Sequence, residues 1–246
     1  ELNKIKSNTK IENNKNTEFN FTKPILIDNI SYAYPNTVTN AIDKINLEIP
    51  SNSFVGIIGE SGSGKSTFID NLIGFIHPHS GKITIDNLDI HKSTSQWMSN
   101  IGYVPQTIYL SDSSLRNNIA FGLDEEDIDD DRIWEVLENA ELVNFVNSLS
   151  NGIFTNIGEQ GGKLSGGQRQ RIGIARALYN NPKLIIFDEG TSALDAETEK
   201  SIIKSILKFK ASKTIIMIAH RHATLSGCDI LVEFEESKIN IKEKTC

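Results

Sequence analysis

Apolar residues along this chain fall into short runs divided by polar turns, and two periodicities alternate. Ile25-Leu26-Ile27-Asp28-Asn29-Ile30-Ser31-Tyr32 has the length and β-branched content of a strand. Ala41-Ile42-Asp43-Lys44-Ile45-Asn46-Leu47-Glu48-Ile49 follows with the alternation of a strand that buries one face. Phe54-Val55-Gly56-Ile57-Ile58-Gly59 is different: it is apolar throughout and ends in a glycine-rich turn, as a buried parallel strand does. Helical spacing begins at Lys65 and runs through Phe68, Leu72 and Ile73. Strands are expected again near Ile83-Ile85 and Ile101-Val104, then near Leu184-Phe187, Thr214-Ile218 and Ile230-Phe234. A helix is expected from about Ala196 through Ile206. Strands alternating with helices predict a parallel sheet covered on both faces.

Two stretches depart from that rhythm. Residues 1–22 are rich in Asn, Lys, Thr and Glu with few apolar positions, a composition that buries too little surface to fold alone, so they are expected to be a linker or tail. Residues from about 108 to 162 carry Leu115, Ile119, Ile133, Val136, Leu137, Leu142 and Val146 among many acids, which predicts a mostly helical insert.

Gly59-Glu60-Ser61-Gly62-Ser63-Gly64-Lys65-Ser66 fits the pattern G-x-x-x-x-G-K-[ST] between a strand and a helix. Glycines there let the backbone curl so that successive N–H groups point at phosphate oxygens, and the helix adds the partial positive charge of its N-terminus. Lys65 has the reach for β- and γ-phosphates, and the Ser66 hydroxyl is a natural magnesium ligand. Further on, Leu184-Ile185-Ile186-Phe187 delivers Asp188 and Glu189 at a strand's C-terminal edge, where ligands bind in open α/β sheets. Asp188 is suited to magnesium, through water, and Glu189 to polarising an attacking water. Acids at such a place also cap helices, so the pair gains its meaning from the phosphate loop upstream.

Between these two lies Leu164-Ser165-Gly166-Gly167-Gln168, just before a helical pattern that includes Ile172, Ile174, Ala175 and Leu178. Ser165 offers a hydroxyl, and Gly166 and Gly167 permit close backbone approach at a helix N-terminus. A chain with its own phosphate loop needs no second cradle for the same nucleotide, so this one is expected to serve the ATP of a partner. The three motifs together resemble the nucleotide-binding domain of an ATP-binding cassette (ABC) protein, across roughly residues 24 to 243.

That resemblance implies an α/β P-loop ATPase fold with a β-rich edge subdomain and a helical lobe at about 108–180 carrying the signature. The domain would span 23–246, with ATP and Mg2+ as its ligands. Nucleotide-binding residues would be Tyr34, Gly59, Ser61, Gly62, Ser63, Gly64, Lys65, Ser66, Thr67 and Gln106, with the Tyr34 ring on adenine in preference to Tyr32. Ser66, Gln106 and Asp188 would hold the metal. Lys65, Gln106, Glu189 and His220 would carry catalysis, His220 at the γ-phosphate. Ser165, Gly166, Gly167 and Gln168 would close over the ATP of a second domain in a head-to-tail homodimer, with Ser192 and Asp195 contacting that partner.

Ser114-Leu115-Arg116-Asn117-Asn118-Ile119-Ala120-Phe121-Gly122 and Thr155-Asn156-Ile157-Gly158-Glu159-Gln160-Gly161 look like exporter patterns, the second placing Glu159 against a membrane domain. Gln160 stands where arginine is frequent in the family and Gly190 where alanine is frequent; neither change removes a catalytic group. The implied activity is ATP hydrolysis powering an exporter or flippase, at the cytoplasmic face of a membrane, such as a bacterial inner membrane. A transmembrane domain is expected upstream of Glu1. An importer subunit, a soluble ABC ATPase acting on DNA or ribosomes, and an inactive binding domain are the other readings; the exporter-like loops, the lack of a long coiled-coil insertion and the full set of catalytic residues weigh against them.

Composition adds constraints of exclusion. The 246 residues carry a net charge of −7, which argues against a non-specific nucleic-acid binder. Cys228 and Cys246 form no framework, and the five histidines have no companion cysteine cluster, so neither a structural disulfide nor a zinc site is expected. No apolar run approaches the ~20 residues needed to cross a bilayer.

Overall fold

The structure is a computed structural model and describes residues 18–158, 161–189, 196–219 and 222–243. The strands are β1 (Ile25–Tyr32), β2 (Ile42–Ile49), β3 (Phe54–Gly59), β4 (Ser80–Ile85), β5 (Leu88–Asp89), β6 (Ile101–Val104), β7 (Leu184–Asp188), β8 (Thr214–Ile218), β9 (Ile230–Glu235) and β10 (Lys238–Glu243). The helices are α1 (Lys65–Ile73), α2 (Thr94–Met98), α3 (Leu115–Ile119), α4 (Asp130–Asn139), α5 (Val143–Asn147), α6 (Gly166–Tyr179) and α7 (Ala196–Leu207).

Two sheets divide the strands. One is antiparallel, in the order β2-β1-β4-β5, and the other runs β10-β9-β3-β8-β7-β6. In the second sheet β9, β3, β8, β7 and β6 are parallel neighbours, and only β10 is antiparallel. The period of two in these strands splits their side chains between two cores. Ile185 and Phe187 of β7 face the cluster that contains the helical insert, among Leu115, Ile133, Leu137 and Ile172. Leu184 and Ile186 face the opposite cluster, with Phe68, Ile69 and Leu72 of α1 and the buried face of the antiparallel sheet. Sandwiched apolar strands of this kind need cover on both sides, and the helical insert provides one of the two covers.

The insert is helical, as its spacing predicts, but its pieces α3 and α5 are short. Polar side chains hold the joints: Arg132 donates to the carbonyls of Leu178 (2.5 Å) and Tyr179 (2.8 Å), satisfying acceptors at the C-terminus of α6. The Glu141 carboxylate accepts from Ser201 and from Ser205 (2.8 Å) of α7, and so ties the insert to the ATPase core.

The expected tail to residue 22 needs correction. Phe19 is buried with its ring edge-on to Trp97, and Phe21 stacks on the same indole at 5.6 Å. The Asp86 carboxylate accepts from the backbone N–H groups of Asn20 (3.0 Å), Phe21 (2.9 Å) and Lys23 (3.0 Å), and from the Thr22 hydroxyl (2.6 Å). A segment too polar to make its own core is fixed by two aromatic side chains that borrow another's. Residues 1–17 lie outside the described residues.

Strands β5 and β10 and helix α2 were not expected. The β9–β10 turn uses Glu236 and Ser237, both at positive φ (46° and 66°), without the Asn or Gly that marks such a hairpin. Among the described residues no helix is long and apolar enough to cross a membrane.

Candidate functional site

The parallel register brings the C-terminal ends of β3, β7 and β6 to one edge of the sheet. Gly59 leaves β3 with φ 149°, and a Cβ there would lie 2.5 Å from the Phe234 carbonyl, so only glycine fits. Gly64 sits before α1 with φ 109° and its missing Cβ would meet the Ala41 carbonyl at 2.4 Å. No side chain caps α1, and no acid lies in its first turn, which leaves its positive end to the loop. The Lys65 ammonium folds over that loop, donating to the carbonyls of Gly59 (2.8 Å) and Glu60 (2.6 Å). Ser61 and Ser66 are exposed, as is Gly62 at φ 80°. The Ser63 hydroxyl is buried without a hydrogen-bond partner. A buried orphan hydroxyl is costly unless something meets it, and an anion in the loop would.

Tyr34 and Thr67 are joined: their hydroxyls lie 3.2 Å apart, which fixes the Tyr34 ring beside the first turn of α1. That ring is 43% exposed and makes an edge contact with Tyr32 at 5.2 Å. Tyr32 instead packs toward the core and against the His79 ring. Of the two tyrosines, Tyr34 has the free face.

Asp188 ends β7 facing the α1 side, following the parity of Leu184 and Ile186. Its Oδ2 accepts a hydrogen bond from the Tyr103 hydroxyl at 3.0 Å. Burial holds the Asp188 carboxyl above the usual carboxylate range, and the Glu189 charge adds to this, while Tyr103 and Lys65 work against it. Asp70 of α1 is raised by burial and by the Asp188 charge. Burial and these same acids push the Tyr103 phenol upward, so it stays a donor. Glu189 lies just past the strand in the left-handed region (φ 52°), and its Oε2 accepts from Gln106 Nε2 at 2.7 Å.

The donors suit a hard divalent cation. Ser66 supplies a hydroxyl; Gln106, having committed its amide nitrogen to Glu189, retains its oxygen; Asp188, with one oxygen on Tyr103, retains the other. Oxygen-only donors of this kind would suit magnesium better than zinc.

The signature stands at the N-terminus of α6. Ser165 Oγ accepts from the Gln168 N–H (3.2 Å) while Gln168 Oε1 accepts from the Ser165 N–H (2.9 Å), a reciprocal capping box. Gln168 is therefore turned back on Ser165, holding the serine in place. Ser165 is exposed and keeps its own proton to donate; Gly166 and Gly167 are partly exposed. A cleft of about 460 Å3 runs between this helix start and the Gln106 loop, lined by Gln106, Tyr109, Gly166 and Arg169. Ser192, Asp195 and His220, with Glu159, Gln160 and Gly190, lie outside the described residues.

Sequence reasoning missed Tyr103 and the capping role of Gln168. The second had a signal, S-x-x-Q before an apolar helix. Tyr103 had none, because its partner is set by strand register.

A family model described as ABC transporter matches residues 42–192. The leukotoxin translocation ATP-binding protein LktB of Mannheimia glucosida is 41% identical over 216 residues, covering 87% of this chain and 30% of that protein. The ATP-dependent lipid A-core flippase of Francisella novicida is 39% identical over the same length, covering 87% and 36%. A solved structure of a bacterial Atm1-family ABC exporter with ATP bound superposes with a TM-score of 0.83 and 32% identity, over 90% of this chain and 38% of that one. The chain thus spans about a third of the length of these relatives.

Proposed function

The chain belongs to the ABC transporter family, and we propose that it is the ATP-binding and ATP-hydrolysing domain that powers an exporter or flippase. The observation that carries the proposal is the meeting of the Gly59–Ser66 loop, Asp188, Glu189 and Gln106 at one sheet edge. That arrangement supplies a phosphate cradle, oxygen ligands for a cation and a carboxylate beside them. The Tyr34 ring stacks on adenine, the loop and Lys65 hold the phosphates, and Thr67 keeps Tyr34 in place.

Ser66, the Gln106 oxygen and, through water, the Asp188 carboxylate would hold Mg2+, which would supply charge neutralisation at the phosphates. Glu189 accepts the proton of the attacking water as its oxygen bonds to the γ-phosphorus and the bond to the leaving ADP oxygen breaks. His220 holds the γ-phosphate. Most of the acceleration then comes from positioning and charge stabilisation.

A second copy completes each site in this reading. Its Ser165, Gly166 and Gly167 close over the γ-phosphate, with Gln168 bracing Ser165, and Ser192 and Asp195 contact the partner. The transmembrane part is proposed to lie on the same polypeptide, upstream, with this domain at the cytoplasmic membrane face; relatives about three times longer than the match support that. Hydrolysis opens the clamp, and Gln106 and the helical lobe pass the motion on.

The test is ATP turnover by the chain with Mg2+, beside Lys65→Ala. Phosphate release that disappears with Lys65→Ala supports the proposal. Turnover unaffected by the substitution refutes it.

A further inference from the structure

We infer that Tyr103 is a positioning residue for the metal: its hydroxyl holds one oxygen of Asp188 and thereby orients the carboxylate toward the cation held with Ser66 and Gln106. This inference rests on the Mg-ATP reading above and deepens it.

In the parallel pair of β6 and β7, Tyr103 lies opposite Ile186. Side chains alternate between faces, so the residue two places beyond Ile186 returns to the same face, and that residue is Asp188. Such diagonal neighbours are within reach of an aromatic side chain, and the hydroxyl spans the gap to Oδ2 at 3.0 Å. β6 is the edge strand of its sheet, so Tyr103 reaches Asp188 from the outer flank of β7.

The geometry serves a ligand better than it serves packing. Asp188 terminates its strand beside Asp70 and Glu189, with Lys65 as the counter-charge, a cluster of more negative than positive charge that favours a further cation. A carboxylate in that company has two oxygens and free rotation about its last bond. Pinning one oxygen with a neutral donor reduces the orientations available to the other, at no cost in cationic charge that would compete with the metal. Partners of metal-ligating carboxylates that act this way lower metal affinity by about 10–100-fold when removed. The tyrosine ring packs against the core on the α1 side and also meets Phe75 edge-on at 6.4 Å, so a ring contact and the hydroxyl can be tested apart.

The experiment uses Mn2+ as a spectroscopic probe. Binding of Mn2+ to the chain at saturating ATP is titrated by electron paramagnetic resonance for the unsubstituted chain, Tyr103→Phe and Phe75→Ala, and ATP binding is measured in chelator. We expect Tyr103→Phe to weaken Mn2+ by about tenfold, to alter the Mn2+ spectrum, and to leave metal-free ATP binding unchanged. Phe75→Ala, which removes one ring contact and keeps the hydroxyl, should retain the original Mn2+ affinity. Mn2+ affinity within twofold of the original in Tyr103→Phe, or an equal loss in Phe75→Ala, overturns the positioning role and leaves the Mg-ATP reading standing. An unsubstituted chain that binds ATP yet no Mn2+ overturns that reading itself, and the role of Tyr103 with it.

Discussion

Gln106 Nε2 lies 2.7 Å from Glu189 Oε2, joining the loop after β6 to the carboxylate after β7. One side chain thus touches the proposed base while its remaining amide oxygen is available to a metal. The contact ties Glu189 to the loop that leads from β6 into the helical insert. Glu189→Gln keeps the shape and removes the proton acceptor. Turnover is expected to fall by at least ~100-fold, the usual loss for a missing general base, with ATP binding retained in a nucleotide titration. Near-normal turnover would reassign the base.

Tyr34 tests the adenine contact. Removing its ring in Tyr34→Ala should weaken ATP binding by about 1–3 kcal/mol, the worth of one stacked base. Tyr34→Phe loses only the contact to Thr67 and should bind ATP within a few-fold of the original. Titration with a fluorescent ATP analogue separates the two; equal affinities for all three proteins would remove Tyr34 from the site.

The strap at residues 19–23 belongs to the folded domain. Phe19→Ala deletes a buried ring against Trp97 and should cost about 3–5 kcal/mol in urea denaturation. Asp86→Ala strips the acceptor from three backbone N–H groups and one hydroxyl and should cost roughly 1–3 kcal/mol. Stability unchanged within about 0.5 kcal/mol in both variants, a typical surface effect, would return the strap to the status of a tail.

His91 gives a pH signature. Burial lowers its pKa below the ordinary imidazole value of 6.5, and the neighbouring His77 adds to that. The neutral form is the one the fold holds, whereas the unfolded chain takes up a proton first. His91 therefore favours the fold fully above pH ~6.5, and that contribution shrinks as pH falls below it. His91→Leu should flatten the stability profile between pH 7.5 and 5.5 relative to the original chain. Parallel profiles for the two proteins would exclude the effect.

What could be read from residues alone follows the range of the interactions. The Gly59–Ser66 loop, the apolar β7 with its two acids and the α6 start are local patterns, in which spacing itself sets the geometry. Tyr103 was silent because its role depends on which residue of β7 lies opposite, a choice made by two strands far apart in the sequence. Phe19 and Phe21 were hidden by the polar composition around them, since their core partner, Trp97, comes from a distant helix. The β9–β10 hairpin escaped because Glu236 and Ser237 adopt positive φ without the residues that advertise it, with the turn upheld by six paired positions. Ser192, Asp195 and His220 remain proposals resting on the resemblance.

Whether two copies share each nucleotide can be read from the solution mass of the Glu189→Gln chain. With Mg-ATP a shift from monomer to dimer is expected, reversed when the nucleotide is removed and abolished by Ser165→Arg. A chain that binds Mg-ATP and remains a monomer at high concentration would contradict the assignment of Ser165, Gly166 and Gly167 to a partner's ATP.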